Sequence, residues 1–134
     1  MPGSNPPILE LRVVITTADY ERLARFYVEG LGVQPAAVFH NDGGNGLLLE
    51  LGRATLEIFD GAQAEAIDKI EAGKRVSGQI RLALQVPDLQ LAMNGLIAHG
   101  ATLVHQPVIP PWGGHNVRLQ DPDGMQMTLF EEEK

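Results

Sequence analysis

The chain repeats one segment of its own sequence, and this internal repeat constrains the fold more than any other feature. Residues 11–19 have the sequence LRVVITTAD, and 69 residues later residues 80–88 have the sequence IRLALQVPD. Residues 56–60 (LEIFD) and 127–131 (MTLFE) match in the same way at an offset of 71. The similar offsets indicate two copies of one unit, and such copies bury their apolar faces against each other. Inward-facing positions that both copies share are therefore the candidates for function.

The first copy has the pattern of a strand followed by a helix and three more strands. Alternating apolar residues predict a strand over residues 8–16, and Asp19 is placed to cap a helix that ends before Gly30. Three further strands are predicted over residues 34–39, 47–51 and 54–59. The first module therefore spans residues 8–60 in the order βαβββ.

The second module, residues 80–131, repeats that order. Strands are predicted over residues 80–86, 101–105, 115–120 and 125–130, with a helix from Asp88 to His99. Residues 61–79 are predicted to be a linker that contains a helix over residues 62–72. The fold class expected from this order is α+β, with the two βαβββ modules forming a single domain.

Composition limits the classes of partner. The 134 residues carry a formal net charge of −7, which argues against nucleic acid or an anionic membrane as a partner, since both need a basic surface. There is no cysteine, so disulfides and thiolate chemistry are excluded. The first seven residues hold three prolines and a glycine, which predicts a flexible arm. Neither a signal peptide nor an apolar run of membrane-spanning length is visible, so a cytoplasmic protein is expected.

An ordered set of short motifs accompanies the repeat. It comprises Asp19, Phe26-Tyr27, Leu31-Gly32, Val86-Pro87-Asp88, Trp112-Gly113 and Asp121-Pro122-Asp123-Gly124. From Ile8 to Glu131 this set resembles the vicinal oxygen chelate superfamily, which includes glyoxalase I, bleomycin-resistance proteins, fosfomycin-resistance enzymes and extradiol dioxygenases. The resemblance implies that the modules form an incomplete mixed-sheet barrel around a concave cavity. It also implies a homodimer, because the cavity in that superfamily often lies between modules of different subunits.

The resemblance further implies four positions for a divalent metal, one on the first and one on the last strand of each module. Counted from the capping aspartates and from Asp121, these positions hold Arg12, Glu57, Arg81 and Thr128. The superfamily usually has histidine at the two arginine positions and glutamate at the other two, so only Glu57 matches. A guanidinium has no lone pair to offer a metal, and one carboxylate with one hydroxyl is a poor ligand set. We therefore expect no metal and no other cofactor.

Strand alternation predicts which side chains face the cavity. In residues 80–86 the even-numbered side chains are apolar and are expected to pack against a helix, so Arg81 faces the other way. The same argument turns Asn116 and Arg118 inward, because Val117 and Leu119 are the apolar pair. The predicted substrate-binding residues are Arg12, Arg81, Arg118, Asn116, Thr128, Phe59, Phe130 and Trp112, and Glu57 is the candidate catalytic residue. Trp112 lies in a loop rich in proline and glycine, where a cavity lid or a dimer contact is expected.

Charge in this cavity favours an anionic ligand. Three arginines and one glutamate leave a surplus of about two positive charges, and buried charges without partners are costly. Arginine also binds carboxylate and phosphate bidentately. The alternative is that Arg12 or Arg81 forms a structural salt bridge with Glu57, while Arg118 is solvated.

Three functional hypotheses follow from these residues. The first is a metal-free binder, of the bleomycin-resistance type, for a small anionic molecule with an apolar part. The second is a metal-dependent lyase, dioxygenase or transferase whose metal site has moved to Glu57 with His115 or His105. The third is metal-free catalysis in which Glu57 is a general base and the arginines hold an enolate or carboxylate.

Overall fold

The computed structural model describes residues 7–133, so the N-terminal arm predicted for residues 1–7 lies almost wholly outside the described part. Within residues 7–133 the chain forms eight strands and three helices. In chain order they are β1 (Glu10–Thr17), α1 (Tyr20–Leu31), β2 (Ala37–Phe39), β3 (Gly46–Leu51), β4 (Ala54–Asp60), α2 (Gly61–Ala72), β5 (Ile80–Gln85), α3 (Leu89–Ala98), β6 (Thr102–Leu103), β7 (His115–Gln120) and β8 (Gln126–Glu131).

All eight strands belong to one mixed sheet, which confirms the predicted α+β class. The strand order is β2-β3-β4-β1-β5-β8-β7-β6, so the two modules lie on either side of a central β1–β5 pair. β1 and β5 are antiparallel, with Val13 opposite Leu82, whereas β1 with β4 and β5 with β8 are parallel. The sheet does not close into a barrel, in agreement with the incomplete barrel that the sequence predicts. The two modules of this chain therefore join edge to edge within the same chain.

α1 and α3 cover the same face of the sheet, one for each module. Asp19 caps α1, and Gly32 ends it in the left-handed conformation, with a φ of 68°. α1 packs on an apolar cluster that includes Leu49 and Ile58, while α3 packs on a second cluster that includes Val117 and Leu129. These apolar residues alternate with the polar ones along each strand, so the polar residues point to the opposite face. We call that opposite face the cavity face.

The edge strands are shorter than the sequence suggested. β2 has three residues where a strand over 34–39 was predicted, and β6 has two residues where a strand over 101–105 was predicted. Pro35 in the first segment lacks the N–H that a longer ladder needs, and both β2 and β6 are edge strands that pair on one side alone.

α2 packs on the cavity face, which the description of residues 61–79 as a linker did not anticipate. Asp60 caps it by accepting a hydrogen bond from the Gln63 backbone N–H, and Gly73 ends it with a φ of 80°. Ala64 and Ile67 of α2 pack against Val14 and Phe59 of the sheet. α2 therefore forms one wall of the space that the sheet partly encloses.

The turn before β3 approaches the start of α2 very closely. A Cβ atom added to Gly44 would lie 2.1 Å from the backbone nitrogen of Gln63, so only glycine fits there. The Gln63 side chain fixes the same contact, because its Oε1 accepts from the Asn41 N–H at 2.8 Å and its Nε2 donates to Asn41 Oδ1 at 2.6 Å.

Among residues 7–133, none of the helices has the length and apolar character needed to cross a membrane.

Candidate functional site

A cavity of about 230 Å³ lies between the cavity face of the sheet and α2. Its polar lining includes residues of five strands and of α2, namely Arg12, Glu57, Glu71, Arg81, Asn116 and Thr128. Its aromatic lining comprises Phe39, Phe59, Trp112 and Phe130. Trp112 is 53% exposed whereas Thr128 is 2% exposed, so the tryptophan lies at the mouth and the threonine at the floor.

The structure brings together eight of the nine side chains that the sequence singled out. The eight that line this cavity are Arg12, Glu57, Phe59, Arg81, Trp112, Asn116, Thr128 and Phe130. The ninth, Arg118, lies behind the cavity floor and is completely buried. Alternation along the strands placed these residues on one face, and the pairing of β1 with β5 brings the two modules' residues into one space.

In the first module, the guanidinium of Arg12 is surrounded by carboxylates. Its Nη2 donates to Glu10 Oε1 at 3.1 Å, its Nη1 lies 3.7 Å from Glu57 Oε1, and Glu132 lies at 4.0 Å. Its Nε is buried and has no hydrogen-bond partner among residues 7–133. The Arg12 guanidinium also lies over the Phe130 ring, 4.8 Å from the ring centre. Arg12 is thus already paired, as the salt-bridge alternative expected.

In the second module, Arg81 has a different environment. Its Nη1 donates a 2.8 Å hydrogen bond to Thr128 Oγ1, and within the described residues no carboxylate oxygen lies within 4.0 Å of it. The guanidinium lies 5.9 Å from the centre of the Phe59 ring. Burial lowers the pKa of Arg81, while the charges of Glu71 and Glu57 partly oppose this shift. The hydrogen bond to Thr128 involves one of the five N–H donors of Arg81, whose side chain lines the cavity.

Arg118 is not solvated and does not contribute free charge to the cavity, so both predictions for it are wrong. Its Nη1 lies 2.9 Å from Asp68 Oδ1, and its Nη2 and Nε donate to Glu71 Oε1 at 2.9 and 3.1 Å. Asp68 and Glu71 lie on α2, and all three side chains are almost completely buried. The predicted surplus of two positive charges does not exist, because Asp68 and Glu71 balance it.

Glu71 takes the place of the carboxylate that the second module lacks on β8. Thr128 Oγ1 donates a 2.5 Å hydrogen bond to Glu71 Oε1, and Asn116 Nδ2 donates to Glu71 Oε2 at 2.8 Å. The sequence carries a signal for this arrangement. Ala64, Ile67 and Glu71 follow the helical spacing of one face, so a glutamate is placed on the face that also carries apolar residues.

Two carboxyl groups, Glu57 in the cavity lining and Asp68 on α2, have pKa values that are shifted in opposite directions. Burial raises the pKa of Glu57, and the nearby charges of Arg81 and Arg12 offset this only in part. Burial also acts to raise the pKa of Asp68, but hydrogen bonds from Ser77 and the charge of Arg118 outweigh it and lower the pKa to about 2. Glu57 is therefore the carboxyl group of this pair that is suited to accept a proton.

The residues at the superfamily's metal positions do not fit a metal. A metal would need ligands at positions 81 and 128, but Arg81 instead donates a hydrogen bond to Thr128. Arg12, at a third metal position, places a second guanidinium beside Glu57. Neither His105 nor His115 lines the cavity that Glu57 lines. Within residues 7–133, no three histidine, aspartate or glutamate side chains form a group able to hold a metal ion. The relocated site at Glu57 with His115 or His105 therefore gains no support from the geometry.

Comparisons with known proteins agree with this architecture. The sequence of residues 12–130 matches a family described as the glyoxalase-like domain. The fold is similar to methylmalonyl-CoA epimerase from Mycobacterium tuberculosis, with a TM-score of 0.71 and 20% identity over 98% of this chain and 92% of that chain.

Two further solved structures have a similar fold. A variant of Streptomyces coelicolor methylmalonyl-CoA epimerase in complex with 2-nitronate-propionyl-CoA gives a TM-score of 0.69 and 15% identity, over 97% of this chain and 100% of that chain. A glyoxalase/bleomycin resistance protein/dioxygenase superfamily member from Vibrio splendidus 12B01 gives 0.62 and 13%, over 92% and 98%. At these identities the likeness concerns the fold alone. A search of curated proteins found no significant match.

Proposed function

We propose the following function for this chain, which belongs to the glyoxalase-like domain family, within the glyoxalase/bleomycin resistance/dioxygenase superfamily. The proposed function is metal-free binding of a small molecule that carries one anionic group on a partly apolar body. The observation that carries the proposal is Arg81, a buried guanidinium that lines the cavity without a carboxylate within ion-pair distance among residues 7–133.

Arg81 is the anchor for the anionic group in this proposal. It donates one hydrogen bond, to Thr128, and Thr128 is held in turn by Glu71, so the guanidinium is fixed in position before a ligand arrives. A positioned guanidinium binds a carboxylate through two parallel hydrogen bonds, and in a buried site such bonds are stronger than in water. Arg12 is a poorer anchor, since Glu10 and Glu57 already surround it.

The apolar part of the ligand would contact the aromatic lining. Phe59 and Phe130 flank the arginines, and Trp112 lies at the mouth. A cavity with an apolar lining and a few convergent polar groups is the usual form of a small-molecule site. The ligand is therefore expected to enter with its anionic group first.

Paired ligands test this proposal. Titration calorimetry with benzoate and benzamide, and with phenylacetate and phenylacetamide, compares a carboxylate with an amide of the same shape. We expect each carboxylate to bind at least about 10-fold more tightly than its amide, since one charge-assisted pair contributes more than about 1.4 kcal/mol. Arg81→Gln should remove that preference, because glutamine retains a donor without the charge.

Arg25→Gln is the matched control, because Arg25 lies on α1 with a side chain that is 72% exposed. It should bind every ligand as the wild type does. If amides and carboxylates bind alike, and Arg81→Gln changes neither, Arg81 is structural and the proposal is wrong. Circular dichroism at the same temperature verifies that the variants are folded.

A second candidate function is metal-free proton transfer with Glu57 as general base. The specific observation is that Glu57 lines the cavity with a raised pKa beside two guanidiniums that would stabilise a developing enolate. Two of the proteins with a similar fold are named methylmalonyl-CoA epimerases. In this candidate Glu57 removes a proton from the carbon beside a carbonyl group, exchanges it with solvent, and returns a solvent proton to the same carbon.

Deuterium exchange tests the second candidate. Phenylpyruvate, an anionic α-keto acid with acidic methylene protons, should incorporate deuterium from D₂O faster with the wild-type protein than in buffer. Glu57→Gln should return the rate to that of buffer while benzoate binding persists. Equal rates with wild type, Glu57→Gln and buffer would rule out Glu57 as a base for this substrate.

The homodimer expected from the resemblance is also part of the proposal. Aliphatic side chains of the β1–β5 seam, including Leu11 at 46% and Ile80 at 44% exposure, are available for a contact with a second copy. Light scattering at micromolar concentration should give the mass of a dimer. A monomeric mass would contradict this part of the proposal and leave the ligand site unaffected.

A further inference from the structure

We infer that the ligand of this cavity is a monocarboxylate built on a single aromatic ring. The inference rests on the proposed function and narrows it to a chemical class. Three properties of the described residues lead to this class: the location of the aromatic side chains, the volume of the cavity and the charge around Arg81.

The chain is poor in aromatic residues but concentrates them at the cavity. It contains four phenylalanines, one tryptophan and two tyrosines, and four of these seven residues line the cavity. They are Phe39, Phe59, Phe130 and Trp112. Aromatic rings pair with one another in offset or edge-to-face arrangements that add to the effect of burial. A lining of this kind favours a planar ring over a saturated body of equal size.

The volume limits the ligand to about one ring. An apolar cavity of about 150 Å³ in another protein accepts benzene. A cavity of about 230 Å³ has room for a benzene ring with a carboxylate and a short link. Pockets for drug-sized ligands have volumes of about 300–1,000 Å³, so the smaller volume here favours a single ring over a fused or extended ring system.

The charges favour a single negative group. Arg81 is the cavity guanidinium that lacks a carboxylate within 4.0 Å, as judged over residues 7–133. Glu57 and Glu71 line the same cavity, close enough for their charges to act on Arg81, and would repel a second negative group. A monocarboxylate satisfies Arg81, whereas a dicarboxylate or a phosphate dianion places one charge beside Glu57 or Glu71.

A series of acids tests the class by titration calorimetry at pH 7. Benzoate should bind about 2- to 10-fold more tightly than cyclohexanecarboxylate, which has the same number of carbon atoms without the aromatic ring. The dianion isophthalate and the larger 2-naphthoate should each bind at least about 10-fold more weakly than benzoate. Because Trp112 is the sole tryptophan and lies at the mouth, its fluorescence provides a second measure of binding in the cavity.

Two phenylalanine variants locate the preference for the ring. Phe130→Leu removes one of the four rings from the cavity lining and should lower the ratio between the affinities for benzoate and cyclohexanecarboxylate. Phe26→Leu is the matched control, because Phe26 is 66% exposed on α1 and should leave the ratio unchanged.

The outcomes separate this inference from the proposed function. If cyclohexanecarboxylate, 2-naphthoate or isophthalate binds as tightly as benzoate while carboxylates still bind more tightly than amides, the class is wrong and the proposed function stands. If amides bind as tightly as carboxylates, the proposed function itself fails. If Phe130→Leu and Phe26→Leu change the ratio between benzoate and cyclohexanecarboxylate equally, the aromatic lining does not cause the preference for the ring, and the inference is overturned.

Discussion

Each half of the cavity floor contains a carboxylate, but the two carboxylates come from different elements of the fold. In the first half, β1 supplies Arg12 and β4 supplies Glu57, so both charges come from the strands of one module. In the second half, the equivalent strands supply Arg81 and Thr128, and the carboxylate comes from Glu71 on α2. The helix between the modules therefore completes the second half of the floor.

This difference in origin goes with a difference in burial. The Arg12 side chain is 22% exposed, and its ion pair with Glu57 is 3.7 Å long. Arg118, Asp68 and Glu71 in the second half are at most 2% exposed, with ion pairs of 2.9 Å. Solvent partly screens Arg12 and Glu10 in the first half, whereas the second set of charges lies in a low-dielectric environment. The second half should therefore determine stability, and the first half should adapt to changes more easily.

The largest expected effect is the loss of Arg118. Arg118→Met leaves Asp68 and Glu71 buried without their shared cation, and we expect a loss of about 3–5 kcal/mol in the free energy of unfolding. Arg12→Met is the matched change in the first half and should cost about 1 kcal/mol, because the Arg12 pairs are partly solvated. Urea denaturation of both variants measures the difference. Equal losses would mean that burial does not distinguish the two halves.

A smaller effect is expected at the carboxylate that α2 supplies. Glu71 accepts hydrogen bonds from Arg118, Thr128 and Asn116, and a glutamine side chain cannot accept all of them without loss. Glu71→Gln should therefore lower the free energy of unfolding by about 2 kcal/mol. Glu65→Gln, on the exposed side of the same helix, is the control and should change it by less than about 0.5 kcal/mol. A harmless Glu71→Gln would show that α2 is held by its apolar contacts alone.

The sequence predicts the strand faces well because alternation is a local property of each strand. Arg81 and Thr128 could be placed on one face from their apolar neighbours, and the repeat then related them to Arg12 and Glu57. The position of α2 depends on contacts between distant residues, such as the 47-residue separation between Glu71 and Arg118. Nothing local to residues 61–79 specifies the face of the sheet on which their helix packs. For that reason the sequence alone predicts a surplus of positive charge that the structure does not have.

The third prediction concerns the dependence of stability on pH, to which Glu57 and Asp68 contribute with opposite signs. The raised pKa of Glu57 means that the folded protein holds this proton more tightly than the unfolded chain does. Its contribution to stability should therefore fall as the pH rises from the ordinary pKa of 4.5 through the raised value. Asp68 behaves in the opposite way, since its stabilising contribution is present above 3.8 and is lost as the pH falls toward about 2.

Neutral variants separate these two contributions. Glu57→Gln should gain stability relative to the wild type as the pH rises from 4 to 7, by less than the loss at Glu71→Gln. Asp68→Asn should be less stable than the wild type at pH 7, with a gap that narrows below pH 4. Unfolding measured in urea across this pH range gives both curves. A Glu57→Gln curve parallel to that of the wild type would show that Glu57 has an ordinary pKa.

The smallest expected effect lies at the outer edge of the first half, where Arg12 reaches Glu132. The two groups are 4.0 Å apart, and the Glu132 side chain is 59% exposed, so solvent screens most of their attraction. Glu132→Gln should therefore change the free energy of unfolding by less than about 0.5 kcal/mol, and 0.5 M NaCl should remove even that difference. A loss above about 1 kcal/mol that persists in salt would mean that Arg12 depends on Glu132 for its position. The first half would then be as tightly specified as the second, and the contrast between them would have to be abandoned.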